Sequence, residues 1–317
     1  MLLQSKIFTL SPADIDANGP CVLWPRSPEP ALVDSICRAG QLEPLLVRHV
    51  EGRVELVSGY SRLLALRELG LDAACLEVHV SEVDGAVLYL RANCAAMRDD
   101  SMRLKALRFF DSRIVRGGEF SRERLETEVL PLLDTDVRAK SWNWWQQWLG
   151  LPPDFDDLLH KGHLPLAAAS GLAAFSPEER TVLLPCLRAV CWSRSNACHL
   201  LTWLYEATRL HEKSLVQMLP EVDFFSVLAK GLSPKDMAAA LLLEAQKLRY
   251  PHLLNMQDDL RKQLAPLVKG ALWQVEHEDN FETPSLSVRC KIKNRNEAKR
   301  ACQEFERITR YWETKSE

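Results

Sequence analysis

Residues 54–66 read Val54-Glu55-Leu56-Val57-Ser58-Gly59-Tyr60-Ser61-Arg62-Leu63-Leu64-Ala65-Leu66. The short apolar run Val54 to Val57 predicts a strand, and Leu63, Leu64, Leu66 and Leu69 predict the apolar face of a helix. Ser58 to Arg62 therefore stands where a strand ends and a helix begins. At that junction the first backbone N–H groups of the helix lack intrahelical partners and suit an anion. Gly59 permits close approach and Arg62 adds a charged fork. Many turns of this kind bind nothing, so these residues alone leave a phosphate site and a plain structural turn both open.

Outward from this junction the pattern forms one unit from Leu32 to Val78. A helix carries Leu32, Val33, Ile36 and Cys37, a turn falls at Gly40, and a strand runs from Pro44 to His49, followed by a Glu51-Gly52 turn. A third strand is expected from Cys75 to Val80, then an Asp84-Gly85 turn and a helix from Ala86 to about Asn93. Met1 to Leu10 reads as a first strand feeding this sheet. Ser11 to Pro30, with Pro at 12, 20, 25, 28 and 30, reads as an irregular connection to which no site is assigned.

The order Ile36-x-x-x-Gly40-x-x-x-Pro44-Leu45-x-Val47-Arg48, then Glu55 through Leu63-x-Ala65, then Leu69-Gly70, resembles the N-terminal domain of ParB-type partition proteins. That fold is shared with sulfiredoxin. The resemblance implies a nucleotide pocket for CTP with magnesium, contacted by Gly59, Tyr60, Ser61 and Arg62, which stand where the family has Gly-Glu-Arg-Arg. The family's Glu-Asn-x-Gln-Arg signature falls on Ala92 to Arg98, so Asn93 and Arg98 are implied pocket residues. The family's metal-holding Glu is replaced by Ala92, which offers no oxygen to a hard cation. CTP hydrolysis is accordingly expected to be weak or absent, with no catalytic residue and no metal site of the chain's own. A sulfiredoxin needs Cys after the turn glycine, and Tyr60 occupies that place.

At 317 residues the chain has room for two or three domains, and 47% hydrophobic with 26% charged residues is ordinary for a globular protein. A net charge of −3 confines any nucleic-acid affinity to a local patch. No apolar run approaches the roughly 20 residues of a membrane span. The N-terminus does not read as a signal peptide, and the nine cysteines lack paired spacing. Cys186, Cys191, Cys198 and His199 fall in apolar helical surroundings, not in a metal-binding pattern. The expected location is the cytoplasm, on the nucleoid if DNA is bound.

Beyond the first unit the chain turns helical. Ser101 reads as the cap of a helix running through Phe110 and Ile114 to Gly117-Gly118, and Pro131 suggests a break in the next helix. Thr135 to Leu149, ending in Leu151-Pro152, is similar in order to the helix-turn-helix that follows the nucleotide domain in ParB-like proteins, although their short Gly-Lys-Ser turn is missing. A recognition helix needs polar and basic groups on one exposed face, and Arg138, Lys140, Asn143 and Gln146 are the candidates for double-stranded DNA, with Gln147 beside them. Trp142, Trp144, Trp145 and Trp148 crowd the same helix. Trp142 and Trp145 read as core, whereas Trp144 and Trp148 on an adjacent face suit core packing, base stacking or a protein partner. Arg188, Arg194, Arg209 and His211 sit on later helices as phosphate contacts or as solvated charges.

The tail changes character. A helix is expected over Leu253 to Leu264, then alternation at Trp273 and Val275 and at Leu286, Val288, Cys290 and Ile292, then a helix from about Asn296 to Trp312. The basic strand face of Arg289, Lys291 and Lys293 suits an acidic partner, DNA or solvent. The whole is read as α+β: a ParB/sulfiredoxin-like domain over 1–100, a mostly α-helical domain with a degenerate helix-turn-helix over 101–248, and a small α-β-β-α module over 249–317, through which the resemblance to partition proteins implies a homodimer. The expected function is a ParB-like, CTP-responsive DNA-binding protein in partition or transcription regulation. The alternatives are a protein-interaction module that keeps the fold, and a nuclease or kinase using Glu55 or Glu68.

Overall fold

The structure is a computed structural model describing residues 7–93, 99–115, 117, 120–252, 259, 262, 265, 272–277 and 286–313. The chain divides into two units, Met1–Leu201 and Thr202–Glu317.

The first unit begins with a mixed five-stranded sheet. Its strands are β1 (Ile7–Leu10), β2 (Ile15–Asp16), β3 (Leu45–Val50), β4 (Arg53–Ser58) and β5 (Ala73–Glu77), in the spatial order β1-β5-β3-β4-β2. β3 and β4 form an antiparallel hairpin closed by Glu51 and Gly52, both at positive φ (49° and 78°), the turn geometry that matches strand twist. β5 pairs parallel to β3 and antiparallel to β1. Two helices, α1 (Pro30–Ala39) and α2 (Tyr60–Leu69), pack together, and Ile36, Leu45, Val47, Leu56, Leu63 and Leu66 form the core. Cys37, read from sequence as apolar, is exposed. The connection over 11–30 contains a 3-10 turn at Pro12–Asp14 and then β2, which pairs parallel to β4.

The next helix, α3, spans Glu82–Asn93, so Asp84 and Gly85 lie inside it and not in a turn. Ser81 Oγ accepts from Asp84 N at 3.1 Å and starts the helix. Gly85 serves close packing here: a Cβ would lie 2.6 Å from Cys21 Sγ. Two guanidiniums from later in the chain reach back to this helix. Arg113 of α4 (Asp100–Val115) pairs with Glu82, and Arg124 of α5 (Arg122–Arg124) pairs with Asp84.

The Arg124 hydrogen bond holds the Asp84 carboxyl below its ordinary range. A depressed folded value means that the stabilisation is present above the unfolded value near about 3.9 and is lost as pH falls through the folded one. Arg124→Gln is therefore expected to remove part of the loss of stability seen below about pH 4. Acid titration followed by circular dichroism checks it, and identical acid limbs would refute it.

α4 buries Leu104, Leu107 and Phe110, and Asp99 Oδ1, not Ser101, accepts from Met102 N at 3.0 Å to cap it. After α5 come a π-helical turn (Leu125–Val129) and a 3-10 turn (Leu130–Leu133) at Pro131, then α6 (Lys140–Leu149), α7 (Asp156–His160), α8 (Ala169–Ala173), α9 (Pro177–Ala189) and α10 (Arg194–His211). The second unit contains α11 (Leu215–Met218), α12 (Phe224–Ala229) and α13 (Pro234–Arg249). Its last part has β6 (Trp273–His277) antiparallel to β7 (Leu286–Cys290), then α14 (Arg295–Glu313). Trp273 Nε1 donates to Ala301 O of α14 at 2.7 Å, and its ring packs on Phe305. Most of the helix expected over 253–264 lies outside the described residues. None of the helices formed by the described residues is long and apolar enough to cross a membrane.

Candidate nucleotide pocket and nucleic-acid interface

The β4–α2 junction opens onto a cavity of about 350 Å³ lined by Gly59, Tyr60, Ser61, Arg62 and Asn93 together with Trp24, Arg26, Ser27, Glu29, Leu32, Glu43 and Tyr89. Gly59 caps α2 in the left-handed region (φ 105°), and a Cβ there would stand 2.7 Å from Leu45 Cδ2. The glycine is thus required twice, by backbone conformation and by the core beneath it.

Several of the remaining pocket residues are held by their neighbours. Ser61 Oγ donates to Arg26 O at 3.0 Å, tying α2 to the connection over 11–30. Arg62 Nη1 donates to Glu43 O at 2.9 Å and Pro44 O at 3.2 Å and lies 3.0 Å from the Glu43 carboxylate. Burial pulls the Arg62 pKa below its ordinary value, and Glu43 opposes the shift. Asn93 Nδ2 donates to Tyr89 O (2.8 Å) and Ser58 Oγ (3.2 Å), so any contact it makes to a ligand is as an acceptor through Oδ1. Trp24 and Tyr89 are buried edge to face, ring centroids 5.1 Å apart, and Tyr89 Oη donates to Trp24 O at 2.9 Å. Burial pushes the Tyr89 phenol up to about 12. Arg26 Nη2 reaches Met102 Sδ at 3.3 Å, a weak acceptor for a guanidinium.

Five of the six residues expected at this pocket converge on it, and Arg98 lies outside the described residues. Sequence reading missed Trp24, Arg26, Ser27 and Glu29, having assigned no site to 11–30. The hint was an arginine and a tryptophan among prolines, but only the folded path of the segment carries them over α2. The residues do not fit the magnesium that the resemblance implies. Ala92, which offers no oxygen, stands where the resemblance implies the metal-holding Glu, and of the two carboxylates lining the cavity Glu43 is paired with Arg62 at 3.0 Å. Glu55 and Glu68 do not line the cavity, and Glu55 is spent on Arg48 at 2.6 and 3.0 Å.

The second candidate site is the outer face of α6. Its inner face is a row at three-residue spacing, Trp142, Trp145 and Trp148, all buried against α8, the turn Leu166–Ala168 and α4. Ala168 and Ala169 are small and buried there, leaving room for indoles. Trp148, placed by sequence with Trp144 on an adjacent face, is fully buried. Trp144 is half-buried, with the Arg194 guanidinium 4.9 Å over its ring. The outer face carries Asn143 and Gln146, with Lys140 and Arg138 at its N-terminal approach, all exposed. Gln147 accepts from Ser170 Oγ at 2.6 Å. The turn before α6 is set by Asp136 Oδ1 accepting from Arg138 N at 2.8 Å.

The C-terminal end of α6 is held by Arg108 of α4. This side chain donates to the carbonyls of Trp148 (3.3 Å), Leu149 (3.1 Å) and Leu151 (2.9 Å) while forming a two-pronged pair with Asp156 (2.6 and 2.7 Å). A cation is thereby placed where helix carbonyls lack partners.

The search of known protein families finds none that matches this sequence, and no curated protein matches it. Solved structures do match. One is C-terminally truncated chromosome-partitioning protein ParB from Caulobacter crescentus complexed to the centromeric parS site, at 13% identity over 74% of this chain and 98% of that one, TM-score 0.37. The chain resembles ParB. A second ParB structure from the same organism, complexed with CTP-gamma-S, matches at 17% identity over 58% and 99%, TM-score 0.26. A Pnob8-like ParB-N domain matches at 17% identity over 57% and 89%, TM-score 0.34.

Proposed function

We propose that this protein is a ParB-like DNA-binding protein acting in DNA partition or transcription regulation, with a pocket in its N-terminal part that takes a nucleotide-type ligand. The observation that carries the reading is the two-sided character of α6. Trp142, Trp145 and Trp148 are committed to the core, and the outward side presents Arg138, Lys140, Asn143 and Gln146. Such a face suits phosphates and base edges in a groove, and Arg194, held over Trp144, adds a cation beside it. The turn over 134–139 and the helical segment before it serve as the first half of a helix-turn-helix. CTP is the ligand implied by the resemblance, and its binding would bias DNA affinity. A homodimer through the tail, and association with the nucleoid, belong to the same reading.

The test is duplex DNA binding measured across a salt series. Replacing Arg138 and Lys140 together by Ala is expected to weaken binding and to reduce the slope of log K against log salt by about 2, roughly 0.9 for each lost phosphate contact. An unchanged slope would remove α6 from the interface. Absence of DNA binding by the unaltered protein would leave the protein-interaction module as the reading.

A further inference from the structure

We infer that the pocket at the β4–α2 junction is built for a small planar ligand with at most one anionic group, of the nucleoside or nucleoside-monophosphate class, bound without a divalent metal. This rests on the reading of the cavity as a ligand site, and departs from the magnesium-bound triphosphate implied by resemblance.

Three observations carry it. The first is charge. The described lining residues include two guanidiniums, Arg26 and Arg62, and two carboxylates, Glu29 and Glu43, with no lysine among them. Arg62 is already paired with the Glu43 carboxylate at 3.0 Å through Nη1, and the same nitrogen meets two main-chain carbonyls. A triphosphate would meet a balanced lining in which each added phosphate also faces Glu29 and Glu43. A single phosphate needs one cation, and Arg26 can turn to it at small cost because its Nη2 gives up only a thioether.

The second is the wall. Trp24, Tyr89 and Tyr60 give the cavity an aromatic lining, and Asn93 Oδ1 can accept an N–H from a planar heterocycle. The third is size. At about 350 Å³ the cavity lies at the lower end of ligand sites, which run from about 300 to 1,000 Å³.

The experiment is calorimetric titration of the full chain with CMP and AMP, and with CTP and ATP in the presence and absence of magnesium. At least one monophosphate is expected to bind about tenfold or more tighter than its own triphosphate, with magnesium shifting the triphosphate less than about twofold. Glu43→Gln, which lifts the carboxylate from Arg62, should narrow that preference by about tenfold. A triphosphate that binds tighter than its monophosphate only with magnesium overturns the inference and leaves the ligand-site reading standing. Binding of none of the four nucleotides, or monophosphate binding untouched by both Arg26→Gln and Tyr60→Ala, overturns the ligand-site reading as well.

Discussion

Arg108→Ala is expected to lower the stability of the first unit by about 3 kcal/mol, which for a unit of this size is a fall in melting temperature of roughly 6–12 °C. The side chain does two jobs at once. Its pair with Asp156 is mostly shielded, with side chains 21% and 28% exposed, so removing one partner leaves a carboxylate poorly hydrated inside the packing. Its other donors satisfy carbonyls at the end of α6 and just beyond it, so these also lose partners in the variant. Trp148 Nε1 still reaches Asp156 Oδ1 at 3.2 Å, one bond against the five that are lost. A double-mutant cycle with Asp156→Ala separates the two contributions. Strong coupling assigns the loss to the ion pair, weak coupling to the carbonyls, and a melting temperature within about 2 °C of the parent would contradict both.

Gly59→Ala should cost about 3 kcal/mol, of which roughly 1 arises from holding alanine at positive φ and the rest from its Cβ pressing on Leu45. Gly70 provides the comparison. It too sits in the left-handed region, at φ 66°, but a Cβ there meets nothing within 4 Å. Gly70→Ala therefore reports the cost of a left-handed alanine without a core clash, a lower bound on the backbone contribution at Gly59, whose φ of 105° is less accessible to alanine. Urea unfolding of both variants gives the difference directly. Equal costs would mean that Leu45, fully buried though it is, yields to the added methyl, and that Gly59 is held only by its backbone angle.

What the sequence made legible was local. The Glu51-Gly52 hairpin, the strand-to-helix turn at Gly59 and the alternation around Trp273 and Val288 each depend on residues a few positions apart, where periodicity and turn chemistry act. The start of α3 was misjudged because Gly85 signals a turn in sequence, whereas its missing side chain makes room for Cys21, far away in the chain. The pocket divides in the same way. Gly59 to Arg62 could be read off their junction. The placement of Trp24 and Arg26 depends on how a proline-rich connection crosses α2, and the capture of Arg62 by Glu43 depends on β3 beginning beside that helix. The burial of Trp148 required knowing that α8, the turn Leu166–Ala168 and α4 pack against α6.

The arginines of α4 and α5 that pair with Glu82 and Asp84 bear on how this protein can be divided and recombined. A fragment ending at residue 100 would carry α3 with both acids stripped of their guanidiniums, and would lose the Met102 contact of Arg26 at the pocket rim. Swapping the N-terminal sheet between relatives would face the same difficulty, since the acids come from one parent and the arginines from the other. The first unit, ending at Leu201, carries both halves of these pairs, the pocket and the α6 face together. Chimeras that take the whole first unit from one parent should keep all four side chains matched, whereas a junction near residue 100 separates them.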